Sequence, residues 1–158
     1  MQDNSFKLDE IDQQILLILQ NDGRETASHI AEKVKLSVPA AAERIKKLQE
    51  CGIIKGFRAV LDPKKLGMDI SALITLVSDS SRNYEKVVNK ALEASEVIRC
   101  FSTTGDGSHV ILVQTTNTQS LEMLLRKIQS WPGVIRTNTQ LILSSYKELT
   151  PLYLKTEN

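Results

Sequence analysis

Apolar positions in the first fifty residues recur at helical spacing, and the period changes further along the chain. Leu8, Ile11, Ile15 and Ile18/Leu19 fall on one face of a helix, with Asp9, Glu10 and Asp12 in its first turn, where the helix dipole favours acids. Asn21-Asp22-Gly23 supplies the stop. A shorter helix is predicted over 26–34, with Ala27, Ile30, Ala31 and Val34 on one face. Lys35-Leu36 leaves room only for a tight connection. Ser37 is then placed to cap a third helix, with Pro39 in the first turn, where a missing N–H costs nothing. Three helices, the last two joined by a short turn, make a helix-turn-helix candidate.

After Gly52 the pattern turns strand-like over 53–61, and Asp62-Pro63-Lys64-Lys65-Leu66-Gly67 breaks it. Residues 62–68 read as a linker between a first domain over 1–61 and a second over 69–158. In the second, Ile70, Ala72, Ile74 and Leu76 alternate as a strand, and Tyr84, Val87, Val88, Ala91 and Leu92 have helical spacing. Two strands, 97–103 and 109–115, flank a Thr104-Gly105-Asp106-Gly107 turn. Leu121, Leu124, Leu125 and Ile128 mark another helix, closed by Trp131-Pro132-Gly133, and 134–145 reads as a last long strand. Strand, helix, strand, strand, helix, strand is the split βαβ order of a ferredoxin-like sandwich, so the fold class is α+β. Its helices cover one sheet face, and the other face is expected to pair with a second copy.

On a helical wheel, Ala41, Ile45 and Leu48 share the core side of the third helix. Opposite lie Pro39, Ala40, Glu43, Lys46, Lys47 and Glu50, with Ala42 and Arg44 on the flanks. Small side chains with outward lysines suit the major groove of DNA. Pro39 and Ala40 can touch thymine methyls, Glu43 can accept from a cytosine amino group, and Lys46 can reach guanine. Arg44, Lys47, Lys55 and Arg58 are cast as phosphate contacts, which position without reading sequence. Direct readout is therefore modest, with DNA shape supplementing it.

Overall charge neither supports nor opposes this: 20 Lys plus Arg face 19 acids. The local count does support it, because 44–58 holds Arg44, Lys46, Lys47, Lys55 and Arg58 against Glu50 alone. Cys51 and Cys100 stand apart from any Cys/His cluster and read as reduced thiols. Met1-Gln2-Asp3-Asn4 opens no signal peptide and no run approaches a membrane span, so a cytoplasmic protein without membrane contact is expected. Neither a Ser/His/Asp order, nor a metal-ligand cluster, nor a phosphate-binding glycine loop points to an enzyme or a cofactor.

The ordered set Leu8-Asp9, Asp12, Ile15-Leu16, Leu19, Asn21-Asp22-Gly23-Arg24, Leu36-Ser37, Arg44-Ile45, Leu48, Gly52-Ile53-Ile54 and Leu66-Gly67 resembles the Lrp/AsnC family of transcription regulators. Thr104-Gly105-Asp106, Pro132-Gly133-Val134 and Thr137-x-Thr139 extend the resemblance through the second domain. It implies a winged helix-turn-helix followed by a ligand-sensing, oligomerising sandwich. It also implies homodimers that assemble into octamers or similar rings on double-stranded DNA, with an amino-acid effector held between dimers. Carried over, the effector residues are Thr104, Gly105, Asp106, Ser108, Thr137 and Thr139, and His109 follows as an unusual polar residue opening an apolar strand. The family's pattern after the glycine is one residue, an aromatic, then an aspartate that pairs with the ligand's ammonium; here Gly107 and Ser108 occupy the last two places. Ser108 can only hydrogen-bond, Asp106 two residues earlier is a substitute on an extended chain, and a different effector or none is expected. Two other classes fit parts of the chain: an architectural DNA-binding protein without effector, and a metabolite-sensing module acting through protein contacts.

Overall fold

In the computed structural model, residues 7–147 and 150–154 are described; the Met1-Gln2-Asp3-Asn4 terminus read above lies outside them. The chain forms two compact units, Met1–Val60 with Lys147–Asn158, and Leu61–Tyr146. The second unit thus stops short of the C-terminus, and the stretch taken as a linker folds within it. There Lys64–Leu66 makes a 3-10 turn, closed by Gly67 at φ +74°.

The first unit holds α1 (Glu10–Asn21), α2 (Ala27–Lys33) and α3 (Val38–Glu50). Asp9 caps α1 in a reciprocal box: Asp12 N–H donates to the Asp9 carboxylate at 2.7 Å, and Asp9 N–H to that of Asp12 at 3.3 Å. Thr26 and Ser37 cap the other two helices from their hydroxyls. Ile15, Leu16, Ile30, Ala31, Val34, Ala41 and Leu48 form the shared core, which burial of apolar area holds together.

The strand expected over 53–61 does not form; these residues are irregular. A strand needs a ladder for its N–H and C=O groups. The described residues form one four-stranded sheet, between residues 70 and 141, and it gives 53–61 no partner. Phe57, Val60 and Leu61 are left 45%, 69% and 66% exposed. A helix-turn-helix is present, and no wing strand follows it among the described residues.

The second unit runs β1 (Ile70–Ser78), α4 (Tyr84–Glu93), β2 (Val97–Ser102), β3 (His109–Thr115), α5 (Thr118–Gln129), β4 (Val134–Leu141). All pairings are antiparallel and the order is β2-β3-β1-β4, the ferredoxin-like arrangement. Strand β4 ends at Leu141 rather than 145 because its neighbour β1 begins at Ile70, and only Ile142 N–H to Ser71 O continues the pairing. Ala72, Ile74, Leu76, Ile111 and Val113 alternate toward Val87, Ala91, Leu121, Leu124 and Ile128 of the two helices, with Trp131 closing the core. The register places Leu73, Val110, Leu112 and Phe101 on the opposite face, which no helix of this unit covers.

Candidate DNA-reading helix and effector turn

The turn before α3 is built from the backbone. Leu36 N–H donates to Ala31 O at 2.9 Å and Lys35 N–H to Glu32 O at 3.3 Å, the paired bonds of a Schellman stop. Lys35 adopts φ +56°, a left-handed conformation that a glycine would take without strain. Leu36 and Ile30 pack in the same cluster, which completes the stop with an apolar contact. Ser37 then accepts from Ala40 N–H at 3.3 Å, and α3 begins at once.

Along α3 the wheel is realised: Ala41 and Leu48 are fully buried and Ile45 packs beside them. Pro39, Glu43, Lys46, Lys47 and Glu50 are exposed, and Ala40 is half-buried. Val38, 45% exposed at the first helical position, stands with them and was missed by sequence reasoning, which assigns valines to cores. Lys46 makes only a 3.6 Å surface pair with Glu50, the kind of pair that contributes little. Lys55 and Arg58 follow on exposed chain.

Arg44 is placed differently from the phosphate contact expected of it. Its Nη1 lies 2.7 Å from both Asp9 and Asp12, and the Asp12 side chain is only 6% exposed. One guanidinium thus joins α3 to the capping box of α1. Hydrogen bonds to Asp12 first and Asp9 second hold Arg44 more firmly protonated. For Asp9, burial pushes the carboxyl upward, but the Asp12 N–H and the Arg44 guanidinium together take it below the usual range.

In the second unit, Gly105 turns the chain at φ +106°, and Thr104, Gly105 and Asp106 are exposed. The chain bends through 104–106, so the alternation that would aim Asp106 to the side of Ser108 is absent. Ser108 N–H donates to Leu76 O at 2.9 Å. Its hydroxyl meets Leu76 O at 3.3 Å, Ser78 Oγ at 2.9 Å and His109 Nδ1 at 2.9 Å. That is the full capacity of a hydroxyl. Ser108 is spent on the sheet rather than held open for a ligand.

Gly107 explains why no aromatic stands there. A Cβ on it would come 2.2 Å from Thr75 Cγ2 and 3.1 Å from Leu76 O. His109 is completely buried, its ring edge-on to Tyr84 at 5.0 Å, and its Nε2 has no partner among the described residues. Burial lowers its pKa, favouring the neutral ring.

Thr137 and Thr139 are half-buried on β4, opposite Leu76 and Ile74. Because β2 and β4 are the two edges of the sheet, β1 lies between Thr137 and His109, a separation of about 10 Å at two strand spacings. One chain therefore does not bring the turn and the two threonines together, although the resemblance groups them. Sequence distance showed neither this nor the pairing of Arg44.

A family model for the AsnC-type helix-turn-helix domain matches residues 8–49, and one for the Lrp/AsnC ligand binding domain matches 70–152. The HTH-type transcriptional regulator FL11 of Pyrococcus horikoshii is 39% identical, over 94% of this chain and 97% of that protein. Among solved structures, the transcriptional regulator NMB0573/L-Met complex from Neisseria meningitidis is 27% identical with a TM-score of 0.87, covering 93% of this chain and 97% of that one. The structure of E. coli AsnC is 28% identical with a TM-score of 0.85, covering 92% and 98%.

Proposed function

The chain belongs to the Lrp/AsnC family of transcription regulators, and on that premise we propose that it regulates transcription by reading double-stranded DNA with α3 in response to a small effector. The observation that carries the DNA reading is the Schellman turn that delivers Ser37-capped α3 with an exposed side of Pro39, Glu43, Lys46 and Lys47. Lys47, Lys55 and Arg58 hold phosphates, while Val38, Pro39 and Ala40 approach base edges at the helix N-terminus and Glu43 and Lys46 reach them further along. Arg44 positions α3 against α1 and is left out of the phosphate set.

Dimers form through the sheet face bearing Leu73, Val110, Leu112 and Phe101, supported by its lack of a helix cover. Two copies then present paired α3 helices about 34 Å apart, or at multiples of that spacing. Dimers associate further into an octamer or similar ring, and the effector sits where the Gly105 turn of one dimer meets another. That arrangement supplies from a second copy the contacts that the register keeps away from the turn within one chain.

The relative solved with L-Met makes an amino acid the first effector class to try. With Gly107-Ser108 in place of an aromatic-aspartate pair, an ammonium partner is missing. We infer that binding leans on the carboxylate, through backbone N–H groups of the turn, and that leucine-type affinity is absent. Calorimetry against the twenty amino acids tests this: ordinary leucine binding overturns it. For DNA, Lys46→Ala with Lys47→Ala weakens binding and lowers the slope of log affinity against log salt by about 0.9 per lost phosphate contact. An unchanged slope removes α3 as the reader. Tight binding to unrelated DNA with no effector response favours the architectural alternative.

A further inference from the structure

We propose that the DNA-binding unit carries a peptide-docking cleft beside α1, and that its occupant is the chain's own C-terminal segment, a releasable strap on the stretch that follows the recognition helix. The cleft is a cavity of about 320 Å³ walled by Leu16, Leu19 and Gln20 of α1, by segment 53–57, and by Leu152 and Leu154. Clefts of this size hold small ligands or a few side chains.

The occupant is recognised through its backbone. Leu152 N–H donates to Gln20 Oε1, and Gln20 Nε2 donates to Leu152 O at 3.4 Å. A side-chain amide that engages both polar groups of one residue reproduces a rung of a β-ladder, as in strand-addition recognition of peptides. The side chains follow the strand period: Leu152 and Leu154 line the cleft, while Tyr153 between them is 86% exposed. Pro151 precedes them, and its fixed φ favours an extended chain and leaves no N–H to satisfy. Leu154 reaches the helix core cluster.

The fit is loose, as a strap requires. Leu152 stays 75% exposed. Two hydrogen bonds and one partly buried leucine place this contact at the weak end of local stability, where opening precedes any global unfolding. What the strap restrains is specific. Segment 53–57 carries Lys55 and is tied to α3 by Ile54 N–H donating to Leu48 O at 2.9 Å. At its other end the strap follows β4, the strand of Thr137 and Thr139, after residues 142–149. A change at β4 has a short covalent route to the residues behind the recognition helix.

Hydrogen exchange on the full chain, without DNA or effector, tests the strap with Leu154→Asp and Gln20→Ala. Exchange over 53–57 is expected to rise about tenfold or more in both variants, while β3 keeps its wild-type protection. Unchanged exchange over 53–57 overturns the proposal. Acceleration that reaches β3 equally in Gln20→Ala also overturns it, because the effect is then general loosening. Should Leu154→Asp unfold the helix unit, Gln20→Ala decides alone, since it removes the amide clamp without burying a charge. The readout involves no nucleic acid, so its failure leaves the proposed DNA reading standing, and a failure of DNA binding leaves the strap standing.

Discussion

Helix α3 and the turn before β3, proposed to meet DNA and an effector, are built by opposite means. At α3 nearly every feature is local. Ser37 caps a neighbour three residues on, the preceding turn is closed by backbone bonds spanning three and five residues, and the buried face repeats at the helical period. At the turn before β3 most of the contacts are remote in sequence: Gly107 against Thr75, Ser108 against Leu76 and Ser78, His109 against Tyr84, with Ser108 to His109 the local exception. Local design leaves the polar side of α3 in solvent. Remote design spends the polar groups of the turn on its own sheet.

Arg44 is the exception on the local side, and breaking it has the largest expected effect. Arg44→Ala removes the guanidinium that pairs with buried Asp12 and with Asp9, and loss of one partner from a buried pair costs several kcal/mol. Arg44 is itself 32% exposed, so about 2–3 kcal/mol is expected here. Denaturant melts of the single variant and of Arg44→Ala with Asp12→Asn check it: the second change should recover part of the loss. A drop in DNA affinity with an unchanged salt slope would place Arg44 as a positioning residue. A slope reduced as in the lysine variants would return it to the phosphates.

Gly107→Ala probes the remote side. The new Cβ drives into Thr75 Cγ2, and overpacking of this kind costs about 1–3 kcal/mol. Thr75→Ser removes that methyl and should restore at least half of the loss in a double-mutant cycle. Additive effects would mean that the strand pair shifts instead.

What the sequence made legible follows the same division. Cap, proline, turn and wheel located α3, and alternation located β1, because helical and strand periods are written within ten residues. The 53–61 strand failed because a run of apolar residues specifies extended chain but not a ladder partner. The separation of Thr137 from the turn was hidden in strand order, which the sequence of elements suggests and only register fixes. Arg44 looked like a phosphate contact since wheels show one helix at a time, and its carboxylates lie more than thirty residues earlier.

His109 sharpens the contrast through pH. Its unfolded pKa is about 6.5, and burial lowers the folded value. The unfolded chain therefore binds more protons just below pH 6.5, so this group's contribution is complete above that pH and declines as pH falls toward the lowered folded value. Thermal melts from pH 7.5 to 5 should show a falling midpoint that flattens in His109→Leu. Leucine also removes the unpartnered Nε2, worth about 1–2 kcal/mol at neutral pH. A steeper fall in the variant would contradict the assignment.

The smallest expected effect returns to the local side. Lys35 holds φ +56° to close the Schellman stop, and a side chain in that region costs about 1 kcal/mol. Lys35→Gly relieves the strain but adds freedom to the unfolded chain, which offsets part of the gain. A net stabilisation of about 0.5 kcal/mol is expected in denaturant melts, with the helix content unchanged. The lysine is exposed just before α3, so its removal also takes away a positive charge near the proposed groove. If stability rises while DNA affinity falls, the strain is retained where a cation helps binding. If both rise, the turn is simply suboptimal, and the contrast between a local surface left in solvent and a remote one built for packing loses one of its supports.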